Sequence, residues 1–379
     1  MKLPPGYTSS DTNKVCRLRK SLYGLKQAPR CWFAKLSDSL LQFGFVQNKK
    51  DYSLFSYHRG SSCIYVIVYV DDLIIGGNDS ALISKFKAYL SDCFLMKDLG
   101  VLKYFLGLEI SRNNDGIYVC QRKYSLDIVT ECGLTGCCPY DTPLEQNHNL
   151  ARDNGPLFDN PSRYHRLVGC LVYLSVTRPD LSYAVHLFAQ CLAKPRARHW
   201  IAALRVIKYL KGTLGQGFFL SSGKELHVNA YCDTAYSACP LTRRSITGYV
   251  VLLGDSPVSW KTKKQKTVSR SSAESEYRAM SFTYSEIQWL MELLPVFNIV
   301  HKEPVSFYCD NESAIKILKN PVFHERTKHI ENDCHIIRDA FQAGELTLVS
   351  ISTKEQVADF LTKALGRAQF IYLLGKMGV

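Results

Sequence analysis

The chain has 379 residues, 46% of them hydrophobic and 21% charged, proportions that exclude wholesale disorder and fibrous repeats and leave room for two or three domains. Lys and Arg total 47 against 34 Asp and Glu, a formal charge of +13; the excess favours a polyanionic partner, nucleic acid before an anionic membrane surface. Its 14 cysteines include no CxxC pair, which disfavours zinc ribbons and a disulfide scaffold and reads as free thiols, such as Cys63 and Cys170, buried in a reducing compartment. MKLPPGYTSS at the start has no apolar signal core, and the run Ile64–Val70 is too short to span a bilayer. A soluble intracellular protein with no membrane partner is expected, cytoplasmic or nuclear.

The first 35 residues are basic, with Lys26, Arg30 and six other cations against Asp11 alone. A helix is predicted over about Pro29–Phe43, with Trp32, Leu36, Leu40 and Phe43 at helical spacing. CIYVIVYV then reads as a buried strand, the acidic pair after it as a turn and LIIGG as the return strand, before an amphipathic helix over Ser80–Cys93. A second hairpin follows, KYFLGLEISR and IYVCQRKY around the turn NNDG. Residues 137–161, rich in Pro, Asn, Asp and Gly, read as a linker to helices over about 162–211. That helical segment and its flank carry no acid between Asp180 and Glu225 but contain Arg196, Arg198, Arg205, Lys208 and Lys211, the footprint of a polyanion groove or of a solvated basic face. After SSGK the order is strand HVNAYCD, strand SITGYVVLLG, strand SPVSWKT, a helix over about Ser272–Leu294, strand VSFYCD, two helices, strand ELTLVSIS and helix EQVADFLTKAL. This is a mixed α/β layer.

Four acids in that last part stand where chemistry can use them. Asp233 and Asp310 end the first and fourth strands, and carboxylates at the ends of neighbouring strands converge at one sheet edge. Glu276 lies in the long helix and Asp359 in the last. Such acids repel one another unless cations neutralise them, and Mg²⁺ takes a few carboxylates plus substrate phosphate oxygens. Glu274 competes with Glu276 for the helix position. Against the stripe Tyr277, Met280, Tyr284, Ile287, Met291, Leu294, Glu276 lies roughly 50° from centre and Glu274 roughly 110°. Glu276 is therefore expected to be the ligand and Glu274 to be solvated or to support it. Lys261, Lys263, Lys264, Lys266 and Arg270 form an acid-free strip before the helix, read as tracking phosphates or as a solvated loop. His324, His329 and Cys334 make only a weak zinc pattern.

YCDTAYSACPLTRRSITGYVVLLG, PVSWKTKKQKTVSRSSAESEYRAM, FYCDNESAIKILKNPVFHERTKHIENDCHIIRD and VSISTKEQVADFLTKAL together resemble the ribonuclease H domain of copia-type retrotransposons over nearly all of 228–366. The resemblance implies the βββαβαβα ribonuclease H fold and places the family's metal quartet on Asp233, Glu276, Asp310 and Asp359. Where the family usually has DADWAG, this chain has Asp233-Thr234-Ala235-Tyr236-Ser237-Ala238; the metal-binding Asp is kept.

Tyr69-Val70-Asp71-Asp72, with SLYGLKQAPRCWFAKL upstream and KYFLGLEISRNNDGIYVCQRKY downstream, resembles copia-type reverse transcriptase over roughly residues 1–140. RYHRLVGCLVYLSVTRPDLSYAV resembles its thumb and connection region. The resemblance implies that Asp71 and Asp72 hold metal ions for nucleotide addition, that Gly24 permits close backbone approach, and that Lys26, Gln27 and Arg30 lie near template or nucleotide. It implies three parts: a truncated reverse-transcriptase palm over 1–140, a thumb and connection over 141–223 and a ribonuclease H-like domain over 224–379. The family's upstream D-V-x-x-A-F-L-x-G strand, with a third carboxylate, has no match, so a polymerase inactive by itself is expected. The implied activity is two-metal hydrolysis of RNA in RNA–DNA hybrids with Mg²⁺, or Mn²⁺ in its place. The implied partners are the hybrid, RNA template, DNA primer and other Pol or Gag products. The alternative is a catalytically silent nucleic-acid-binding remnant.

Overall fold

A computed structural model describes residues 17–19, 22, 24–223, 225–319 and 331–379. The chain divides into two compact units, residues 1–102 and 103–379.

In the smaller unit, α1 (Ala28–Phe43) opens on Pro29 and stops at Gly44, whose φ of 110° only glycine adopts without strain. Then come β1 (Val46–Gln47), β2 (Leu54–Arg59), β3 (Ser62–Tyr69) and β4 (Asp72–Gly77), an antiparallel sheet in chain order. α2 (Ser80–Cys93) is capped by Asp79, whose carboxylate accepts from the Leu82 amide. Leu36, Leu40, Phe55, Ile64, Val66 and Phe86 fill the core between helices and sheet. The helix, hairpin and second helix lie where periodicity predicts them.

The larger unit starts with β5 (Tyr104–Phe105), β6 (Leu108–Arg112) and β7 (Gly116–Cys120), which β8 (Gly217–Ser221) completes as a four-stranded sheet. The hairpin β6–β7 thus pairs with a strand about a hundred residues on, and β8 was not predicted. QRKY, read as strand, instead opens α3 (Arg122–Glu131). The turn falls there because the Gln121 side chain is buried and accepts from the Thr177 hydroxyl at 2.8 Å. α4 (Pro161–Leu174), α5 (Ser182–Gln190) and α6 (Ala197–Gly212) follow and share one apolar core that includes Tyr164, Leu171, Phe188 and Val206.

The rest is a five-stranded sheet. β9 (Val228–Ala235), β10 (Ile246–Leu253) and β11 (Ser256–Lys264) run antiparallel in succession. After α7 (Ser272–Leu293), β12 (Val305–Cys309) pairs parallel with β9; after α8 (Glu312–Lys319) and α9 (Glu331–Gln342), β13 (Leu346–Ser350) pairs parallel with β12. The order β11-β10-β9-β12-β13 is the ribonuclease H-like α/β arrangement that the resemblance implies. α7 packs on one face through Tyr277, Met280, Tyr284 and Ile287. α10 (Arg367–Met377) joins the core with α4–α6 on the other, through Phe370, Leu373 and Met377.

The predicted helix EQVADFLTKAL is not an α-helix. It is two 3₁₀ turns, Thr353–Glu355 and Val357–Leu361, separated by Gln356 with ψ 100°. The Gln356 amide is fully buried, donates to the Cys232 carbonyl at 2.9 Å and accepts from the Ala358 amide. One buried tertiary hydrogen bond anchors the segment to β9 and overrides its helical propensity. The described cysteines are all free, but Cys63 and Cys170 are only partly buried; Cys232, Cys239, Cys309 and Cys334 are the buried ones. Among the described residues no helix is long and apolar enough to cross a membrane.

Candidate metal centre and nucleic-acid interface

β9 and β12 run parallel and adjacent with Tyr231 opposite Tyr308, so Asp233 and Asp310 leave the same sheet edge two residues later. α7 lays Glu276 over that edge. One carboxylate oxygen from each of Asp233, Glu276 and Asp310 lies within 4.8 Å of the others. Asp233 and Glu276 are buried and Asp310 is half-buried. Asp359, buried on its 3₁₀ turn, is close enough for the Asp233 charge to push its carboxyl up.

The electrostatics are those of a centre short of positive charge. Burial first, then the Cys309 thiol and the neighbouring acids Asp233 and Asp310, hold the Glu276 carboxyl well above the ordinary carboxylate range. Burial also pushes Asp233 up, opposed by Lys363 and by the Thr362 hydroxyl that donates to its Oδ2. Asp359 rises to about 7, by burial first and the Asp233 charge second. Lys363 supplies the nearest cation, its Nζ 2.8 Å from Asp359 Oδ1 and 3.9 Å from Asp233 Oδ2. Glu276 Oε2 is buried with no hydrogen-bond partner, a state that costs about 1–3 kcal/mol or more unless a ligand relieves it. Clustered hard oxygen donors with an orphaned oxygen fit a divalent cation such as Mg²⁺.

Because these groups hold protons in the folded chain that the unfolded chain releases near pH 4, the site's contribution to stability falls as pH rises from about 4 to about 7. A cation that displaces those protons reverses the trend. Added Mg²⁺ is therefore expected to raise the melting temperature by a few degrees at about pH 8 and by much less at about pH 6. A metal-induced shift that is equal at both values, by differential scanning fluorimetry, contradicts this protonation pattern.

Sequence reasoning missed several residues that hold the centre. The Thr353 hydroxyl donates to Asp310 Oδ2 at 2.9 Å. Thr362 and Lys363 follow Asp359 by three and four residues, a spacing that could have flagged them. Gly248 lies opposite Asp233 in the sheet, and a Cβ there would come within 2.7 Å of Thr362 Cγ2 and 2.8 Å of Leu361 Cβ. Gly248→Ala is expected to push the Asp359 turn off the sheet, costing about 1–3 kcal/mol and at least tenfold in any metal-dependent activity. Unchanged denaturation and activity would show that the turn yields freely.

Glu274 is neither solvated nor a ligand. It is buried, accepts from the Arg270 amide at 2.6 Å and pairs with Arg278 at 2.7 Å, while the Ser271 hydroxyl caps its own amide. It serves the start of α7. The basic strip is divided by strand alternation. Lys261 and Lys263 are exposed on the α7 face, 5.9 and 4.5 Å from the Phe282 ring centre. Lys264 points the other way and donates to Gln190 at 2.6 Å. Lys266 and Arg270 are exposed beyond the strand. Between Lys264 and Lys266, Gln265 turns inward and ties Thr247, Ser269 and the Ser275 carbonyl together.

The basic residues of α6 and its approach are engaged within the unit. Arg205 pairs with Glu145 at 2.9 Å and, with Lys208, flanks the Tyr140 ring. Arg196 donates to the Gly155 carbonyl and Lys211 to that of Cys137. They pin residues 137–155 to the helices. A cavity of about 560 Å³ lined by residues including Val185, His186 and Trp260 contains none of the four carboxylates.

In the smaller unit Asp71 and Asp72 are exposed at the β3–β4 tip, where Tyr69 pairs with Asp72. Exposed there, the two adjacent acids incur no burial cost. The turn instead carries strain, since Val70 has φ 51°, unusual for a β-branched residue. Among the described residues no third acid joins this pair in a metal-ligating cluster. Gly24 has φ 86°, a conformation that favours glycine, and open space around it. Lys26, Gln27 and Arg30 are exposed at the start of α1. Of the weak zinc pattern, His324 and His329 lie outside the described residues, and Cys334 is buried in α9.

The family described as "Reverse transcriptase (RNA-dependent DNA polymerase)" matches residues 1–146. The chain is 44% identical over its whole length to the retrovirus-related Pol polyprotein from transposon RE2 of Arabidopsis thaliana, covering 26% of that protein. It is 33% identical to the putative transposon Ty5-1 protein of Saccharomyces cerevisiae, covering 76% of this chain and 94% of that one. Among solved structures, the foamy viral protease-reverse transcriptase in complex with dsDNA is similar at 11% identity, 88% of this chain, 60% of that chain and a TM-score of 0.48. The chain spans about a quarter of the length of the plant Pol polyproteins it matches.

Proposed function

This chain belongs to the copia-type Pol polyproteins of retrotransposons, and we propose that its larger unit hydrolyses the RNA strand of RNA–DNA hybrids. The observation that carries the reading is the convergence of Asp233, Glu276 and Asp310 within 4.8 Å, with Glu276 Oε2 buried and unpartnered. Asp233, Glu276, Asp310 and the adjacent Asp359 would hold Mg²⁺, or Mn²⁺ in its place. Bound as a pair, such ions would supply neutralisation of phosphate charge and acidification of a water at that edge.

The chain's own residues do the positioning. Thr362 and Lys363 orient Asp233 and Asp359, and Thr353 orients Asp310. The Lys363 side chain is 40% exposed, free to swing to a phosphate when a cation takes its place. Lys261 and Lys263, exposed beside α7, contact phosphates without reading bases. Incubating the chain with labelled hybrid and Mg²⁺ tests the reading. RNA cut in the hybrid but left intact in duplex RNA supports it. Salt-sensitive hybrid binding without cleavage, from folded protein, replaces it with a silent nucleic-acid binder.

The smaller unit retains the Asp71–Asp72 tip of a reverse transcriptase, and no third acid joins that tip among the described residues. Primer extension on an RNA template by this chain alone is expected to be at the level of background. Robust synthesis that disappears in Asp71→Asn overturns that expectation.

A further inference from the structure

Behind the carboxylate edge lies a second cluster of different chemistry. Cys232 and Cys309 immediately precede Asp233 and Asp310. The parallel register that aligns Tyr231 with Tyr308 also sets the two cysteines side by side, one residue later. Their thiols and a Glu276 carboxylate oxygen lie within 4.8 Å of one another, and all three residues are buried. Glu276 therefore belongs to two clusters, an all-oxygen one on the open side and a sulfur-containing one on the closed side. Neither thiol is joined in a disulfide, and Glu276 Oε2 has no hydrogen-bond partner.

The donors of a tetrahedral Zn²⁺ ion lie roughly 3.3–3.8 Å apart. The three donors lie within 4.8 Å of one another, so binding requires them to close by at most about 1–1.5 Å. Two thiolates and a carboxylate select a thiophilic cation over Mg²⁺, which prefers oxygen alone. We infer that Cys232, Cys309 and Glu276 form a binding site for a thiophilic divalent cation such as Zn²⁺, and that its occupancy inhibits the magnesium site by taking Glu276 away. Each thiol releases its proton to solvent as the cation binds. The inhibition rests on the magnesium reading above; the cation site does not.

Titration of the reduced full chain with Co²⁺, a spectroscopic substitute for Zn²⁺, tests the site without any activity. Thiolate-to-cobalt absorption is expected in the unsubstituted chain and should be lost in Cys232→Val, Cys309→Val. If that variant retains the whole absorption with unchanged circular dichroism, cobalt sits on other thiols and the site is refuted. Should the double variant fail to fold, Glu276→Gln keeps both thiols and should weaken Co²⁺ binding at least tenfold; unchanged affinity is equally fatal. For inhibition, the Zn²⁺ concentration that halves Mg²⁺-dependent hybrid cleavage, relative to each protein's own zinc-free rate, should rise at least tenfold in the cysteine variant. Equal sensitivity means that zinc acts through the carboxylates alone and overturns the inhibitory role. If the unsubstituted chain cleaves nothing, the hydrolase reading fails, and the cobalt spectrum still decides the cation site.

Discussion

Asp310→Asn is expected to lower RNA cleavage in a hybrid by about a thousandfold or more, roughly 4 kcal/mol of transition-state stabilisation, while leaving the fold intact. Asp310 is half-buried and accepts from the Thr353 hydroxyl at 2.9 Å, a bond that the amide oxygen of Asn also accepts. Asn occupies the same volume but brings no charge to a cation. Asp233→Asn should remove activity to the same extent and, in the absence of metal, should not lower the melting temperature. Burial disfavours the Asp233 carboxylate, and Asn is a neutral isostere whose amide oxygen still accepts from Thr362. Activity lost together with folding would reduce the carboxylates to structural groups. Activity kept within tenfold in Asp310→Asn would exclude that residue from the centre.

The second large effect lies away from the metal centre. Arg178 and Asp180 are fully buried just after α4. Arg178 Nε donates to Asp180 Oδ1 at 2.9 Å and its terminal nitrogen to Oδ2 at 2.6 Å. The guanidinium also donates to the Thr213 carbonyl and hydroxyl, and Tyr209 donates to Asp180. The pair thus ties the α4–α5 connection to the end of α6. Arg178→Met leaves a buried carboxylate without its cation, an expected loss of about 3–5 kcal/mol and a fall in melting temperature of roughly 10 °C for a unit of this size. Removing both charges in Arg178→Met, Asp180→Leu should recover a large part of that loss. A single variant destabilised by less than about 1 kcal/mol would show that water reaches the site.

Much of the fold is legible in the chain because local rules and tertiary demands coincide. α2 follows its periodicity from Ser80 to Cys93, and α7 starts one residue after the Ser271 cap. Glu276 could be preferred to Glu274 because a single stripe of apolar residues decides which side of α7 meets the sheet. The misreadings share a cause. β8 is a short strand whose partner, β7, lies about a hundred residues earlier, and no local pattern reports such a pairing. The Asp359 segment reads as helix until the buried Gln356 amide claims the Cys232 carbonyl. The KTKKQK strip looks continuous in sequence, but two-residue alternation along β11 sends Lys264 to the opposite face from Lys261 and Lys263.

By itself the sequence determined most of the order of elements, the ribonuclease H-like class and the family, and it singled out four acids as candidates, because each depends on residue type and spacing within one segment. Only the tertiary structure decided what surrounds those acids. It set Lys363 and Thr362 against Asp359 and Asp233, kept Gly248 bare beneath the turn, made Glu274 a helix cap and aligned Cys232 with Cys309 behind Glu276. These relations join strands and turns far apart in the chain. They arise from sheet register and from the requirement that buried polar groups find partners, neither of which is written in any one stretch of residues.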